Sequence, residues 1–194
     1  MSEDVEMEET IRVPKDRIGA VIGKKGKTRK RIEQIADVKV HVDSKTGEVT
    51  IRGTERTLPE NFYNAIQVIR AIGRGFDEKS ALELFSDDRY LDIIDLRDML
   101  RKRNDIRRQK GRLIGTGGSV RKKLEALTDT HIRIYGDTVA IIGDAEGLEL
   151  AHRAIIELAG EGKPHSVVFK ELELQRKRRK RAKLLRELGI NLEE

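Results

Sequence analysis

The chain of 194 residues contains no cysteine, no tryptophan and only 4% aromatic residues. The absence of cysteine excludes disulfides and zinc sites with cysteine ligands, and it favours an intracellular, cytoplasmic location. Because aromatic residues are scarce, the core has to be built from aliphatic side chains. No apolar run reaches the roughly 18 residues of a membrane span. The acidic start MSEDVEMEET is unlike a signal peptide, so we expect a soluble protein that contacts no membrane.

Patterns typical of catalytic and metal sites are also missing from the sequence. The four histidines are scattered and form no HExxH pattern. The segment GTGGSV at 115–120 is too short for a P-loop and lacks its lysine. Aspartates between Asp87 and Asp98 resemble a metal-ligand spacing, but several belong to an alternating strand in which surface positions are expected. We therefore predict a protein that is not an enzyme and needs no metal or cofactor.

Charge, in contrast, is abundant. Charged residues make up 38% of the chain, and 40 lysines and arginines against 34 acidic residues give a formal net charge of +6. The acidic residues concentrate in the first ten positions and between Asp77 and Asp98, which leaves strongly basic segments elsewhere. Concentrated positive charge attracts polyanions, so the charge distribution points to a nucleic-acid partner.

Two stretches of the chain share one pattern. They read VIGKKGKTRKRIEQI at 21–35 and LIGTGGSVRKKLEAL at 113–127. Gly23 and Gly26 align with Gly115 and Gly118, and apolar and basic positions align on both sides of these glycines. Agreement over this length indicates an internal duplication.

Each copy predicts the same order of elements. A strand at 10–14 or 90–96 precedes a short helix, the glycine pair and a second helix with apolar residues at i, i+4 and i+7. The alternating strand VKVHV or HIRIY then turns into a further strand, EVTIRG or TVAIIG. An amphipathic helix ends the unit. The predicted order is βααββα.

The motif VIGKKGKTRKRI resembles the signature of the KH domain, in which isoleucine and glycine precede two variable residues, a second glycine and a helix. The order βααββα is that of the type I KH fold. The resemblance implies an α+β protein with two tandem type I KH domains packed together, followed by a basic C-terminal helix. We expect an acidic flexible N-terminus at 1–8, KH domains at 9–75 and 90–162, a helical connector at 76–89 and a basic helix or tail at 163–194.

The two glycine loops are the candidate phosphate-binding sites. Glycine lets the main chain turn sharply and approach a phosphate, and the following helix presents its N-terminal N–H groups and its dipole. The candidate RNA-binding residues are Gly23, Lys24, Lys25, Gly26, Lys27, Arg29, Lys30, Arg112, Gly115, Thr116, Gly117, Gly118, Ser119, Arg121 and Lys122. The KH resemblance adds an apolar groove for bases, with candidate wall residues Ile18, Val21, Ile22, Val40, Leu113, Ile114 and Ile132.

The two loops predict different contributions. Lys24 and Lys25 supply dense charge in the first loop, which favours affinity and salt dependence. Thr116 and Gly117 allow a closer main-chain approach in the second loop, and a basic segment precedes it at 101–112. We predict that the second unit dominates sequence-specific RNA binding. Two other interpretations stay open: a glycine pair that is merely a tight turn, and one copy that has become a protein-contact module.

The tandem arrangement, with an acidic N-terminus and a basic C-terminal helix, resembles the archaeal branch of the partner-of-Nob family of ribosome assembly factors. The resemblance is strongest at RVPKDRIGAVIGKKGKTRKRIE and GRLIGTGGSVRKKLEALT. It implies single-stranded RNA near the 3′ end of small-subunit rRNA as ligand. It also implies a PIN-domain endonuclease and the alpha subunit of the second translation initiation factor as partners. A general KH adaptor in RNA decay or translation, or a single-stranded DNA-binding protein, remain alternatives.

Overall fold

The computed structural model describes residues 7–188. The first unit contains strands β1 to β3 and helices α1 to α3. These are β1 (Glu8–Arg12), α1 (Ile18–Ile22), α2 (Lys27–Ala36), β2 (Val38–Val42), β3 (Glu48–Gly53) and α3 (Pro59–Gly73). The predicted first strand at 10–14 is therefore shifted: the strand ends at Arg12, and Pro14 precedes a short 3₁₀ turn at Lys15–Arg17.

The second unit repeats this order after a helical connector. The connector contains α4 (Glu78–Leu82) and a 3₁₀ turn at Glu83–Phe85. The second unit consists of β4 (Tyr90–Asp95), α5 (Leu96–Met99), α6 (Arg103–Ile114), α7 (Ser119–Thr128), β5 (His131–Tyr135), β6 (Thr138–Gly143) and α8 (Ala145–Ile155), which continues as a π-helical turn to Gly160. The long helix α9 (His165–Glu187) follows. The predicted α+β fold of two type I units and a C-terminal helix is confirmed.

Each unit has one antiparallel three-stranded sheet with its third strand in the centre. The strand order is β1-β3-β2 in the first sheet and β4-β6-β5 in the second. Thr10 lies opposite Thr50, and Ile93 lies opposite Ala140. The outer face of the first sheet is polar and exposed, whereas every residue of β6 in the second sheet is buried. This difference shows that the two sheets have different surroundings.

The burial of β6 results from packing on both of its faces. Val139 and Ile141 belong to the core of the second unit, whereas Ala140 and Ile142 belong to the core of the first unit and the connector. A strand that is buried on both faces has a continuous apolar sequence, as TVAIIG does. The connector and the first unit therefore cover the sheet face that the second unit would otherwise expose.

The connector is held by side chains from both units: Glu78 of α4 accepts a 2.8 Å hydrogen bond from Thr28 of α2, and β5 supplies two further contacts. Asp77 caps α4 through the N–H of Ser80 and contacts Arg133 of β5 at 3.4 Å. Glu83 contacts His131 of β5 at 3.2 Å. Because Phe76 beside these residues is fully buried, the connector is packed against the sheet and does not act as a loose tether.

Helix α9 lies within the basic helix or tail expected at 163–194, and it packs on the second unit. Val168 and Leu172 are buried in the core of that unit. Arg179 forms ion pairs with Asp144 at 3.0 Å and with Glu146 at 2.9 Å. The basic run at 176–181 is thus divided between one cation that fastens the helix and five that are exposed. The residues of the predicted N-terminus at 1–6 and of the tail at 189–194 lie outside the described residues.

Candidate nucleic-acid interface

The two glycine loops have the same backbone conformation. Gly23 has φ and ψ angles of 73° and 171°, and Gly115 has 70° and 172°. This region of the Ramachandran map is almost exclusive to glycine. The duplication seen in the sequence therefore extends to an unusual local geometry, which indicates that both loops are intact.

A close contact adds a second reason for glycine at the first position of each loop. A Cβ atom on Gly23 would lie 2.2 Å from the hydroxyl oxygen of Thr28, and one on Gly115 would lie 2.6 Å from a methyl group of Val120. The turn therefore brings the start of each loop directly against the helix that follows it.

The two loops differ in the residue at their third position. Lys25 has φ of 55° and ψ of 31°, and the equivalent Gly117 has 59° and 22°. A side chain in this left-handed conformation carries a steric cost that glycine avoids. The first loop thus retains a lysine at a strained position, whereas the second loop has an unstrained backbone.

The helices that follow the loops are open at their N-termini. Gly26 and Gly118 are the N-cap residues of α2 and α7, and neither helix has a capping side chain or an acidic residue in its first turn. The N–H groups at a helix start and the positive end of its dipole attract anions. Each loop can therefore accept a phosphate group.

Unpaired cations surround the first loop. Lys24, Lys25, Lys27 and Lys30 are exposed and form no ion pair within residues 7–188. Arg29 is half-buried, and its Nε atom is buried without a hydrogen-bond partner among the described residues. The structure therefore leaves the charge of this loop free for an external anion.

The second loop has fewer free cations than the sequence suggests. Thr116, Ser119 and Lys122 are exposed. Arg112, however, donates to the carbonyl oxygen of Lys163 at 2.8 Å, and Arg121 pairs with Glu125 at 2.9 Å. Both arginines stabilise the second unit, and within this structure their guanidinium groups already have partners. Thr116, Gly117 and Ser119 are exposed, and their contact with RNA stays a prediction.

Five of the seven groove candidates lie in the core and not on a groove wall. The buried side chains are those of Ile18, Val21, Val40, Leu113 and Ile132. Ile22 is half-buried and Ile114 is 37% exposed, so these two side chains can contact a base. Both stand immediately before a loop, at the end of α1 and of α6. The buried five pack the elements that carry the two loops.

Two glutamates that we did not identify from the sequence contact the main chain of the outer strands β2 and β5. Glu33 of α2 accepts a hydrogen bond from the N–H of Val40 at 2.8 Å, and Glu125 of α7 accepts one from the N–H of Ile132 at 2.7 Å. They occupy equivalent positions of the duplicated unit, which is a signal that the repeat alignment contains. Each carboxylate accepts a hydrogen bond from an N–H group that points outward from the outer strand of its sheet.

Features of other site classes are absent from the described residues. Between residues 7 and 188, no three or more histidine, aspartate or glutamate side chains are close enough to hold a metal ion. Asp95 instead caps α5 and pairs with Arg97. None of the helices in this part of the chain is long and apolar enough to cross a bilayer.

Comparison with known families agrees with the fold and the loops. Residues 8–60 match the model of the KH domain, and residues 90–177 match a model described as a eukaryotic-type, type I KH domain. The second match includes the first part of α9, whereas the domain boundary that we expect from the sequence is at 162. The chain belongs to the KH-domain family, a family of RNA-binding modules, and carries two type I units in tandem.

Individual relatives give a finer assignment. The chain is 43% identical, over 90% of its length and 77% of the relative, to a KH domain-containing protein of Methanocaldococcus jannaschii. It matches the crystal structure of Dim2p from Pyrococcus horikoshii with 42% identity and a TM-score of 0.81, over 86% and 98% of the two chains. It also matches a chain of the a/eIF2alpha–aDim2p–rRNA complex from that organism with 41% identity and a TM-score of 0.85, over 90% and 97%. The chain is thus a homologue of archaeal Dim2p.

Proposed function

We propose that this protein binds single-stranded RNA at the 3′ region of small-subunit rRNA during ribosome biogenesis. One observation carries the proposal: two loops of the same positive-φ geometry precede uncapped helices in a chain that is 41% identical to a structure from an rRNA complex. The loops hold the phosphate backbone, which positions the RNA but does not read its sequence. The bases then lie beside Ile22 and Ile114.

Within this proposal, the second unit provides most of the specificity. Lys25 has a strained backbone in the first loop, whereas the equivalent Gly117 in the second loop has none. The main chain of the second loop can therefore approach a phosphate without a side chain in the way. The exposed hydroxyl groups of Thr116 and Ser119 can donate to phosphate oxygens. The free lysines of the first loop add affinity that depends little on sequence.

The test uses an oligoribonucleotide with the 3′-terminal sequence of archaeal small-subunit rRNA and a scrambled oligoribonucleotide of the same composition. The double variant Thr116→Asp/Gly117→Asp places two anions in the second loop, and Thr116→Asn/Gly117→Asn is its uncharged control of similar size and backbone preference. If two charged hydrogen bonds of about 1.5 kcal/mol each are lost, affinity for the matched RNA falls roughly a hundredfold. The asparagine control adds side-chain bulk at position 117 without charge, so it should lose less affinity than the aspartate variant.

The equivalent pair Lys24→Asp/Lys25→Asp and Lys24→Asn/Lys25→Asn tests the first loop. We expect the aspartate variant to weaken binding to matched and scrambled RNA to a similar degree. Loss of specific binding in the first-loop variant, with normal binding in the second-loop variant, would reverse the assignment of the two units. The second unit would then be the candidate protein-contact module.

The recruitment or regulation of a PIN-domain endonuclease, and contact with the alpha subunit of the second translation initiation factor, belong to the same proposal. The Pyrococcus complex with a/eIF2alpha supports the second partner. The protein alone should leave the RNA intact, because KH domains are binding modules. Addition of a purified PIN-domain endonuclease should change the cleavage rate or the cleavage position when the RNA-binding loops are intact, and should have no such effect with the Thr116→Asp/Gly117→Asp variant.

Two alternatives make different predictions. A general KH adaptor in RNA decay or translation would bind scrambled RNA as tightly as the rRNA sequence. A single-stranded DNA-binding protein would bind the matched deoxyribonucleotide at least as tightly as the RNA, since phosphate contacts are common to both polymers and only RNA offers 2′-hydroxyl groups. Both outcomes are read from the same binding assay.

A further inference from the structure

The free edge of β1 borders a cleft between the two units. The cleft has a volume of about 450 Å³ and is lined by residues 9–14, by Arg70, Gly73 and Arg74 at the end of α3, and by Ile93 of β4. It contains none of the residues of the two glycine loops. The cleft is therefore separate from the RNA-binding motif.

The hydrogen-bond pattern of the first sheet shows which main-chain groups of β1 face this cleft. The N–H of Val13 donates to Gly47, and Met7 accepts from the N–H of Gly53, so residues 7 and 13 bond to the β3 side. Bonding alternates along an antiparallel pair, which directs the N–H and C=O groups of Thr10 and Arg12 away from β3. Within residues 7–188, no other strand lies on that side of β1.

Other outer strands of the two sheets are protected in a way that β1 is not. Glu33 accepts a hydrogen bond from an outward N–H group of β2, and Glu125 accepts one from β5. No described side chain accepts a hydrogen bond from the N–H of Thr10 or Arg12. Uncovered edges of sheets are binding sites for another strand, and proteins usually block them.

The chemistry of the cleft restricts what can bind. Arg12, Arg70 and Arg74 line it together with one lining carboxylate, Glu9, which lies 3.7 Å from Arg70. Arg12 pairs with Glu48 at 3.4 Å. The guanidinium group of Arg74 has no ion pair or hydrogen bond among the described residues. Ile93 is 36% exposed and adds an apolar contact on the opposite wall.

We propose that this edge binds an extended, acidic peptide segment of a partner protein as a fourth strand of the first sheet. Main-chain groups of Thr10 and Arg12 would pair with the peptide, an acidic side chain would lie at Arg70 and Arg74, and an apolar one would contact Ile93. Successive outward groups on a strand are about 6.8 Å apart, and a peptide strand repeats donors and acceptors at this spacing. A nucleic acid offers phosphates to the arginines but no such alternation.

The probe is a fluorescein-labelled heptapeptide of alternating glutamate and valine, added to the full chain. Hydrogen exchange followed by NMR should show that the amides of Thr10 and Arg12 become at least tenfold slower to exchange when the peptide is present. The amides of Glu9 and Ile11 already belong to the ladder and should not change. This alternation is specific to strand addition.

Two control peptides keep the protein unchanged. A peptide N-methylated at alternate amides loses the donors for β1, and a lysine–valine peptide reverses the charge; both should bind at least tenfold more weakly. Equal binding of the N-methylated peptide would overturn strand addition. Protection of Thr10 and Arg12 by an oligoribonucleotide instead of the peptide would also overturn the proposal, and it would assign the cleft to nucleic acid.

The variant Thr10→Pro removes an outward donor from an edge strand, a position at which proline is tolerated. We expect at least tenfold weaker peptide binding and unchanged affinity for the rRNA oligonucleotide. Arg74→Glu, a substitution at a half-buried residue outside β1 that leaves the strand intact, should have the same two effects. Wild-type peptide affinity in Arg74→Glu would contradict the proposal, and reduced RNA affinity in either variant would show that the cleft is not separate from the RNA site.

Discussion

The side-chain hydroxyl of Thr28 donates a 2.8 Å hydrogen bond to the carboxylate of Glu78. The bond joins α2, the helix that follows the first glycine loop, to α4 in the connector. Thr28 is buried, and its hydroxyl oxygen lies only 2.2 Å from the position that a Cβ on Gly23 would occupy. One residue therefore both shapes the first loop and fastens it to the segment between the units.

The variant Thr28→Val keeps the shape of this side chain and removes the hydrogen bond. We expect a loss of about 1 kcal/mol in the free energy of unfolding, measured by urea denaturation, because Glu78 then lacks that partner. Thr28→Ser keeps the hydroxyl and should lose less. If valine proves as stable as threonine, the bond to Glu78 makes no net contribution to the fold.

Alanine substitutions in the first loop should differ in their cost. Both glycines have positive φ, so alanine costs about 1–2 kcal/mol at either site from backbone strain. Gly23→Ala also introduces the contact with Thr28, whereas a Cβ on Gly26 meets no atom within 4 Å. Thermal unfolding should therefore give a lower midpoint for Gly23→Ala than for Gly26→Ala, and the opposite order would contradict the close contact.

The free lysines of the first loop should control salt dependence. For a single-stranded ligand, each cation that neutralises a phosphate contributes about 0.7 to the slope of log affinity against log salt. Lys24→Ala/Lys25→Ala should thus flatten the slope by about 1.4. The matched control is Lys45→Ala, a substitution at an exposed residue of the turn between β2 and β3, and it should leave the slope within error of the wild type.

Asp95 should titrate well below an ordinary aspartate. Its side-chain hydrogen bond with Arg97 is the largest cause that lowers its pKa from 3.8 to about 2. A folded-state pKa below the unfolded value means that ionised Asp95 stabilises the fold above pH 3.8. This contribution is lost as the pH falls towards 2. NMR titration of the Asp95 carboxyl should give the low value, and Arg97→Gln should raise it.

Limited trypsin digestion should spare the connector and cut α9 after its attachment to the second unit. A loose tail from 163 onward would be cut first near Lys170, but Leu172 and Arg179 hold the helix beyond that point. We expect early cleavage after Arg181 or Lys183 in the wild type, read by mass spectrometry. In the Arg179→Ala variant, the first cleavage should occur closer to residue 172 than it does in the wild type. Release of two stable halves by cleavage between 76 and 89 would contradict the packing of the connector.

The sequence predicted the βααββα order and both loops because glycine spacing, apolar periodicity and duplication are local patterns. It could not show that Val21 and Leu113 face the core, since periodicity identifies an apolar position but not the element that covers it. The partner of Arg112 is a carbonyl oxygen 51 residues away, and no local pattern encodes such a contact. Glu33 and Glu125 could have been found, because the repeat aligns them.

The domain boundaries and the site residues stay predictions. The expected boundary at 162 follows the last element of the KH repeat, but Val168 and Leu172 of α9 pack into the core of the second unit. This packing depends on apolar residues along one side of α9. The many basic residues of the helix make that pattern hard to recognise in the sequence. A deletion of 163–194 that leaves a stable second unit would support the boundary at 162.

Under the proposed function, the packed connector also restricts the length of RNA that can lie between the two loops. With a flexible tether, the second loop would sample many distances, and its effective concentration would vary smoothly with the length of RNA between the two contacts. With Asp77, Glu78 and Glu83 each tied to a flanking unit, the distance between the loops is fixed. If both loops bind one strand, as proposed, RNA of matching length would gain from both contacts at once, and an insertion or deletion of a few nucleotides between them would leave one loop empty. Under that proposal, the protein would gauge the length of the strand between its two loops.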